Sequence, residues 1–139
     1  MEIAGPLVPT VYLHGLGAAA VPYFLDVALH RNMVLRRSLF IDLLGFGLSD
    51  RPERFRYTLA DHARAVAAAL DTAGVRDVNV VVHSLGGSVA IVLAYERPDL
   101  VGRQVIAEPN LLPWDGDTSV GIARQAEASS PSSSSPPTA

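Results

Sequence analysis

The stretch Val78–Ala94, VNVVVHSLGGSVAIVLA, decides how this chain is read. Its first half is a β-branched block, the composition of a buried strand. Its second half, from Gly86 onward, is a run of small and aliphatic residues suited to a helix packed closely on that strand. At the junction stands one polar residue, Ser84, between His83 and Leu85-Gly86-Gly87. A serine between a parallel strand and its helix lies at the C-terminal edge of the sheet, where open α/β sheets bind ligands. Such a tight turn holds its residue in a strained conformation. It also aims the first helical amides at the same spot, where they can stabilise an oxyanion as a carbonyl is attacked. Gly86 and Gly87 leave no side chain to block substrate or helix–strand packing.

On either side of this unit the chain alternates strand and helix. LVPTVYL (Leu7–Leu13) reads as a buried strand, with Pro9 near its start where a missing N–H is tolerated, and HGLG as the turn after it. VPYFLDVALH is a short helix with Pro22 in its first turn. RSLFID is a second strand, centred on Ser38 to Asp42 and closed by the turn-rich LLGFGLSDRPERF. Thr58 and Asp61 form a box-like cap, with hydroxyl and acid satisfying exposed backbone donors. Leu59, Ala63, Val66, Leu70 and Ala73 then repeat at helical spacing until Gly74 supplies a left-handed stop. After VNVVV and its helix, which ends before Pro98, RQVIA is a fourth strand. Strands apolar on both faces, alternating with helices, imply a parallel sheet covered by helices on both faces.

Composition narrows the function. The net charge is −3 and all eleven cationic residues are arginine, so there is no basic field for nucleic acid. The absence of cysteine excludes disulfides, thiol catalysis and cysteine-ligated metal, and no residue pattern names a cofactor. No apolar run reaches the ~18 residues of a membrane span, and MEIAGPLVPTVYLHG has neither the basic nor the apolar region of a signal peptide. A cytoplasmic protein with no membrane partner is the expectation. Residues 1–112 read as the folded core and 113–128 as a poorly defined segment with room for a short helix. The Ser/Pro-rich tail, 129–139, is expected to be disordered.

HSLGG resembles the nucleophile elbow of the α/β-hydrolase fold, G-x-S-x-G. Three further segments fit the same family in order and spacing. YLHGLG resembles its His-Gly oxyanion loop, DLLGFGLSDRP the turn after its fourth strand, and YTLADHARAVAAALDTAGV the helix before the nucleophile strand. The resemblance implies that Ser84 is the nucleophile and that the backbone N–H groups of Leu16 and Leu85 are the oxyanion donors. It also sets the strand ending at Leu13 beside the strand ending at Val82, so that His14-Gly15 faces the elbow across a crevice. The family's first elbow glycine is Val82 here, whose branched side chain is expected to open the turn slightly. The implied chemistry is hydrolysis of an ester or related carbonyl compound through an acyl-enzyme, on a small-molecule substrate that the sequence does not identify.

The remaining polar residues sort by position. His83, adjacent to Ser84 on a tight turn, points away from it and is read as a pocket-wall residue rather than a base. His14 acts through backbone geometry, its ring in a structural hydrogen bond, while His30 and His62 are expected to face solvent. Asp42, Ser49 and Asp50 bond their own turn, and Arg51, Arg54 and Arg56 form a solvated face. Glu108, just past RQVIA, stands at one of two places where the family keeps its triad acid, so it is the candidate acid.

A serine hydroxyl needs a base to take its proton, and the family's order is Ser, acid, His. All four histidines of this sequence lie at or before position 83. Only four of the family's eight strands are recognised, its third to sixth. Both facts, with the switch to Ser/Pro repeats, read as a partial α/β-hydrolase fold from a truncated or frameshifted hydrolase with little or no activity alone. Its uncovered sheet edges make self-association an expectation. The alternatives are a non-catalytic ligand-binding or interaction module, and a half whose partner chain supplies the histidine.

Overall fold

The computed structural model describes residues 1–3, 7–33 and 36–111; the segments 113–128 and 129–139 lie outside it. A single sheet runs in the order β1-β3-β2-β4-β5. Its strands are β1 (Glu2–Ile3), β2 (Leu7–Leu13), β3 (Arg36–Ile41), β4 (Val78–His83) and β5 (Val101–Ala107). The helices are α1 (Ala20–Leu29), α2 (Leu59–Thr72) and α3 (Leu85–Glu96). The four longer strands are parallel, as the strand–helix alternation predicts. β1 is an addition to that expectation, pairing antiparallel with β3 through Glu2↔Leu39 and Ile3↔Ser38. Two residues are too few to carry a strand period, so it left no pattern to read.

Each face of the sheet has its own core because side chains alternate along a strand. Val11, Leu13, Leu39, Val80 and Val82 pack with Ala63, Val66, Leu70, Val89, Ala90 and Leu93 of α2 and α3. On the other face Tyr12, Phe40 and Phe24 pack with Ala20 and Ala28 of α1. Tyr12 stacks on Phe40 with ring centroids 4.9 Å apart, and burial pushes its phenol pKa up. Among the described residues α1 packs mainly on β2 and β3 and touches β4 through Tyr23, so β5 departs from the two-sided pattern and leaves Val105 64% exposed.

The local signals act largely as read. Thr58 Oγ1 accepts the Asp61 N–H at 3.1 Å. The Asp61 carboxylate, however, accepts from the Thr58 hydroxyl and the Arg56 guanidinium rather than from backbone. Those bonds, with Arg56 first, hold the Asp61 pKa below its ordinary value. Ala63, Val66 and Leu70 are buried, whereas Leu59 at the helix start is 39% exposed. Gly74 takes φ 65° at the end of α2. The ladder between β2 and β3 is irregular from Leu7 to Thr10, the interval that contains Pro9.

Candidate active site

β4 ends at His83 and α3 begins at Leu85, so one residue makes the whole turn. Ser84 has φ 50° and ψ −118°, a conformation that costs a non-glycine residue about 1–3 kcal/mol. Its backbone is held from both sides. The Ser84 N–H donates to the Ala107 carbonyl at 2.9 Å, and its carbonyl accepts from Gly87 at 2.8 Å and Ser88 at 3.2 Å. The hydroxyl makes no capping bond to α3, so Ser84 does not act as an ordinary N-cap serine. Val82 is 1% exposed within the main core, and β4 stays paired with β5 through His83↔Ala107. The corner spans a single residue despite the branched side chain at its first position.

The loop after β2 comes up against this corner. Leu13 pairs with Val82, so the two strands end level. A Cβ built on Gly15 would lie 3.3 Å from Ser84 Cβ and 2.9 Å from His83 Nδ1, which leaves room only for glycine. Gly17 turns the chain with φ 75°. Fully buried His14 anchors the loop: its Nε2 accepts the Leu43 N–H at 3.1 Å, which leaves Nδ1 to donate to the Gly15 carbonyl at 2.7 Å. At the loop's far end the Asp42 carboxylate accepts the Ala20 N–H at 2.6 Å and the Leu48 N–H at 2.9 Å. Ser49 Oγ donates to the Asp42 carbonyl, and Gly45 N–H to that of Asp50, so these residues do bond their own turn. Among the described residues, neither the Leu16 nor the Leu85 N–H donates to a protein acceptor.

His83 is bonded at both ring nitrogens. Nδ1 lies 3.0 Å from the Tyr23 hydroxyl, Nε2 lies 3.3 Å from Glu108 Oε2, and the Tyr23 ring stacks on the imidazole at 5.3 Å. The Glu108 carboxylate therefore faces His83 from a side chain that is 86% exposed. Tyr23 had no signal in the sequence, since its partner lies sixty positions away.

His62 corrects the expectation of a solvent-facing ring. It is 2% exposed, enclosed by Phe46, Phe55 and Tyr57, and burial lowers its pKa. His30 is exposed as expected, as are Arg51 and Arg54, while Arg56 is bonded to Asp61. Among the described residues there is no cluster of three or more His, Asp or Glu able to hold a metal ion, and no helix long and apolar enough to cross a membrane.

The family model described as the alpha/beta hydrolase fold matches residues 9–126. A 2-hydroxymuconate semialdehyde hydrolase of Pseudomonas putida is 34% identical over 98 residues, covering 70% of this chain and 35% of that protein. Among solved structures, a haloalkane dehalogenase of Agrobacterium tumefaciens matches with TM-score 0.68 and 27% identity, over 94% of this chain and 44% of its own. A meta-cleavage product hydrolase of Pseudomonas fluorescens superposes with TM-score 0.72 at 24% identity, over 83% and 42% of the two chains. This chain spans about a third of the length of the curated relatives it matches.

Proposed function

Because the chain belongs to the alpha/beta hydrolase fold family, we propose that it carries the nucleophile half of a serine hydrolase site. In this reading Ser84 attacks an ester or related carbonyl carbon, and the N–H groups of Leu16 and Leu85 receive the oxyanion. The bond from carbonyl carbon to leaving group then breaks, and water releases the acid from the acyl-Ser84 ester. The observation that carries the reading is the strained corner itself. A serine at φ 50° with no capping bond, set against Gly15, has its hydroxyl free for chemistry instead of for the fold.

The base is not among these 139 residues after Ser84, and both nitrogens of His83 are taken. On their own the residues are proposed to turn over little or no substrate, the missing proton acceptor coming from outside them. To serve as the acid for such a base, Glu108 would have to release His83. The reading carries with it a small-molecule substrate and a cytoplasmic setting. The competing reading, a binding module on the same scaffold, is favoured by that missing base alone.

The test is covalent labelling with a fluorophosphonate while imidazole stands in as the base. The expected result is an adduct on the Ser84 peptide that forms faster as imidazole is raised and is absent in Ser84→Ala. No adduct at Ser84 at any imidazole concentration, with the protein folded, overturns the nucleophile reading in favour of the module.

A further inference from the structure

The ring of His83 joins three elements that meet at the corner: Tyr23 is on α1, His83 ends β4, and Glu108 follows β5. A carboxylate only accepts, so Nε2–H donates to Glu108 and Nδ1 accepts the Tyr23 O–H. Neither nitrogen can take a proton from Ser84 without first giving up a partner. The bridge is also poorly placed to stabilise the fold. Tyr23 is 46% exposed and the Glu108 side chain 86% exposed, and contacts of that kind contribute little to stability. Yet Glu108 holds φ 49°, a left-handed conformation that turns the chain immediately after the Ala107 carbonyl that receives the Ser84 N–H.

We propose that Tyr23, His83 and Glu108 form a positioning bridge that sets the separation between the Leu16 loop and the Ser84 corner. Glu108 then acts on His83 instead of orienting the catalytic base. The inference rests on the reading of Ser84 as nucleophile. α1 follows the Leu16 loop directly, so anchoring Tyr23 to His83 anchors that loop to the residue beside Ser84. Gly15 rests against the same imidazole. The Glu108 end fixes the ring's tilt and with it the surface on which the loop lies. Such control matters because a misplacement of about 1 Å at a reacting centre costs about a hundredfold in rate.

The experiment compares wild type with Tyr23→Phe, Glu108→Ala and Glu108→Gln by nitrogen-15 NMR and by imidazole-assisted fluorophosphonate labelling. Thermal transitions serve as the folding control. In wild type the His83 ring is expected in the Nε2–H tautomer with Nδ1 hydrogen-bonded. Tyr23→Phe and Glu108→Ala should shift the Leu16 and Leu85 amide resonances and slow labelling about tenfold or more. Glu108→Gln should behave as wild type, because its amide oxygen still accepts from Nε2–H. Unmoved amides in Tyr23→Phe and Glu108→Ala overturn the bridge. So does a Glu108→Gln variant as slow as Glu108→Ala, which would make the charge, and hence a triad acid, the essential feature. Amides that move as described in a protein whose Ser84 never labels support the bridge and overturn the nucleophile reading.

Discussion

Gly86 lies so close under the end of β2 that a Cβ built on it would fall 2.5 Å from the Leu13 carbonyl oxygen. The same Cβ would be 2.8 Å from the carbonyl of His14. Both neighbours are backbone, so neither can rotate away. Gly86→Ala must therefore push the start of α3 off the sheet, and the Ser84 corner moves with it. Overpacking of this kind costs about 1–3 kcal/mol, and the expected outcome is a Tm lower by roughly 5 °C or more, together with loss of Ser84 labelling. A thermal melt within a degree of wild type would mean that the contact relaxes at no cost.

Ser84 itself offers the reverse experiment. Its φ of 50° strains any residue with a side chain, while glycine adopts that region freely. Ser84→Gly is expected to stabilise the chain by about 1 kcal/mol after allowance for glycine's larger unfolded-state entropy, and Ser84→Ala to leave stability nearly unchanged. Denaturant midpoints of the two variants decide it. The glycine variant should be the more stable, the opposite of the order at an ordinary helical position. Equal midpoints would mean that the corner stores no strain.

How much of this could be read from the chain depends on how local each cause is. Thr58, Gly74 and the Ser84-Leu85-Gly86 corner are set by neighbours a few positions away, so residue type and spacing carry them. The pairing of Leu13 with Val82 was reachable only through the family resemblance, because register between distant strands has no local mark. The burial of His62 was missed for a related reason. Its cover, Phe46, Phe55 and Tyr57, comes from an irregular loop, and nothing in LLGFGLSDRPERFRY says which way that loop folds. The Tyr23–His83 and His83–Glu108 contacts likewise span sixty and twenty-five positions, so His83 reads as a pocket-wall residue and Glu108 as the candidate acid with nothing to join them to each other or to Tyr23.

The burial of His62 has a consequence for pH. Burial, the leading cause, lowers its folded-state pKa below the ordinary value, partly opposed by Asp61 and reinforced by His14. In the unfolded chain the ring titrates near 6.5, so just below that pH the unfolded state binds more protons than the folded one. Stability from the neutral buried ring is therefore complete above the unfolded pKa and is lost as pH falls toward the folded one. The expected outcome is a Tm that declines between about pH 7 and pH 5 in wild type. Replacing the ring with a non-titrating one, His62→Phe, should flatten that slope while leaving the separate loss below about pH 4 from Asp71 and Asp99, whose pKa values their hydrogen bonds to Arg97 hold low. An unchanged slope between pH 7 and pH 5 in His62→Phe would move the cause to another group.

β5 is the last strand of the described sheet, and its outer edge has no strand beside it. Parallel sheets are ordinarily covered on both faces, yet among the described residues α1 packs on β2 and β3 and touches β4 through Tyr23, and Val105 of β5 stands 64% exposed. A seven-residue edge with an exposed valine is a template for pairing with another chain. The 139 residues are expected to self-associate, with a sedimentation coefficient that rises with concentration. Charge on an edge strand opposes such pairing, so Val105→Lys should shift the distribution toward monomer without lowering Tm, since so exposed a side chain contributes little to the core. A monodisperse monomer with a cooperative melt, in wild type at concentrations where Val105→Lys behaves identically, would show that this edge is already protected.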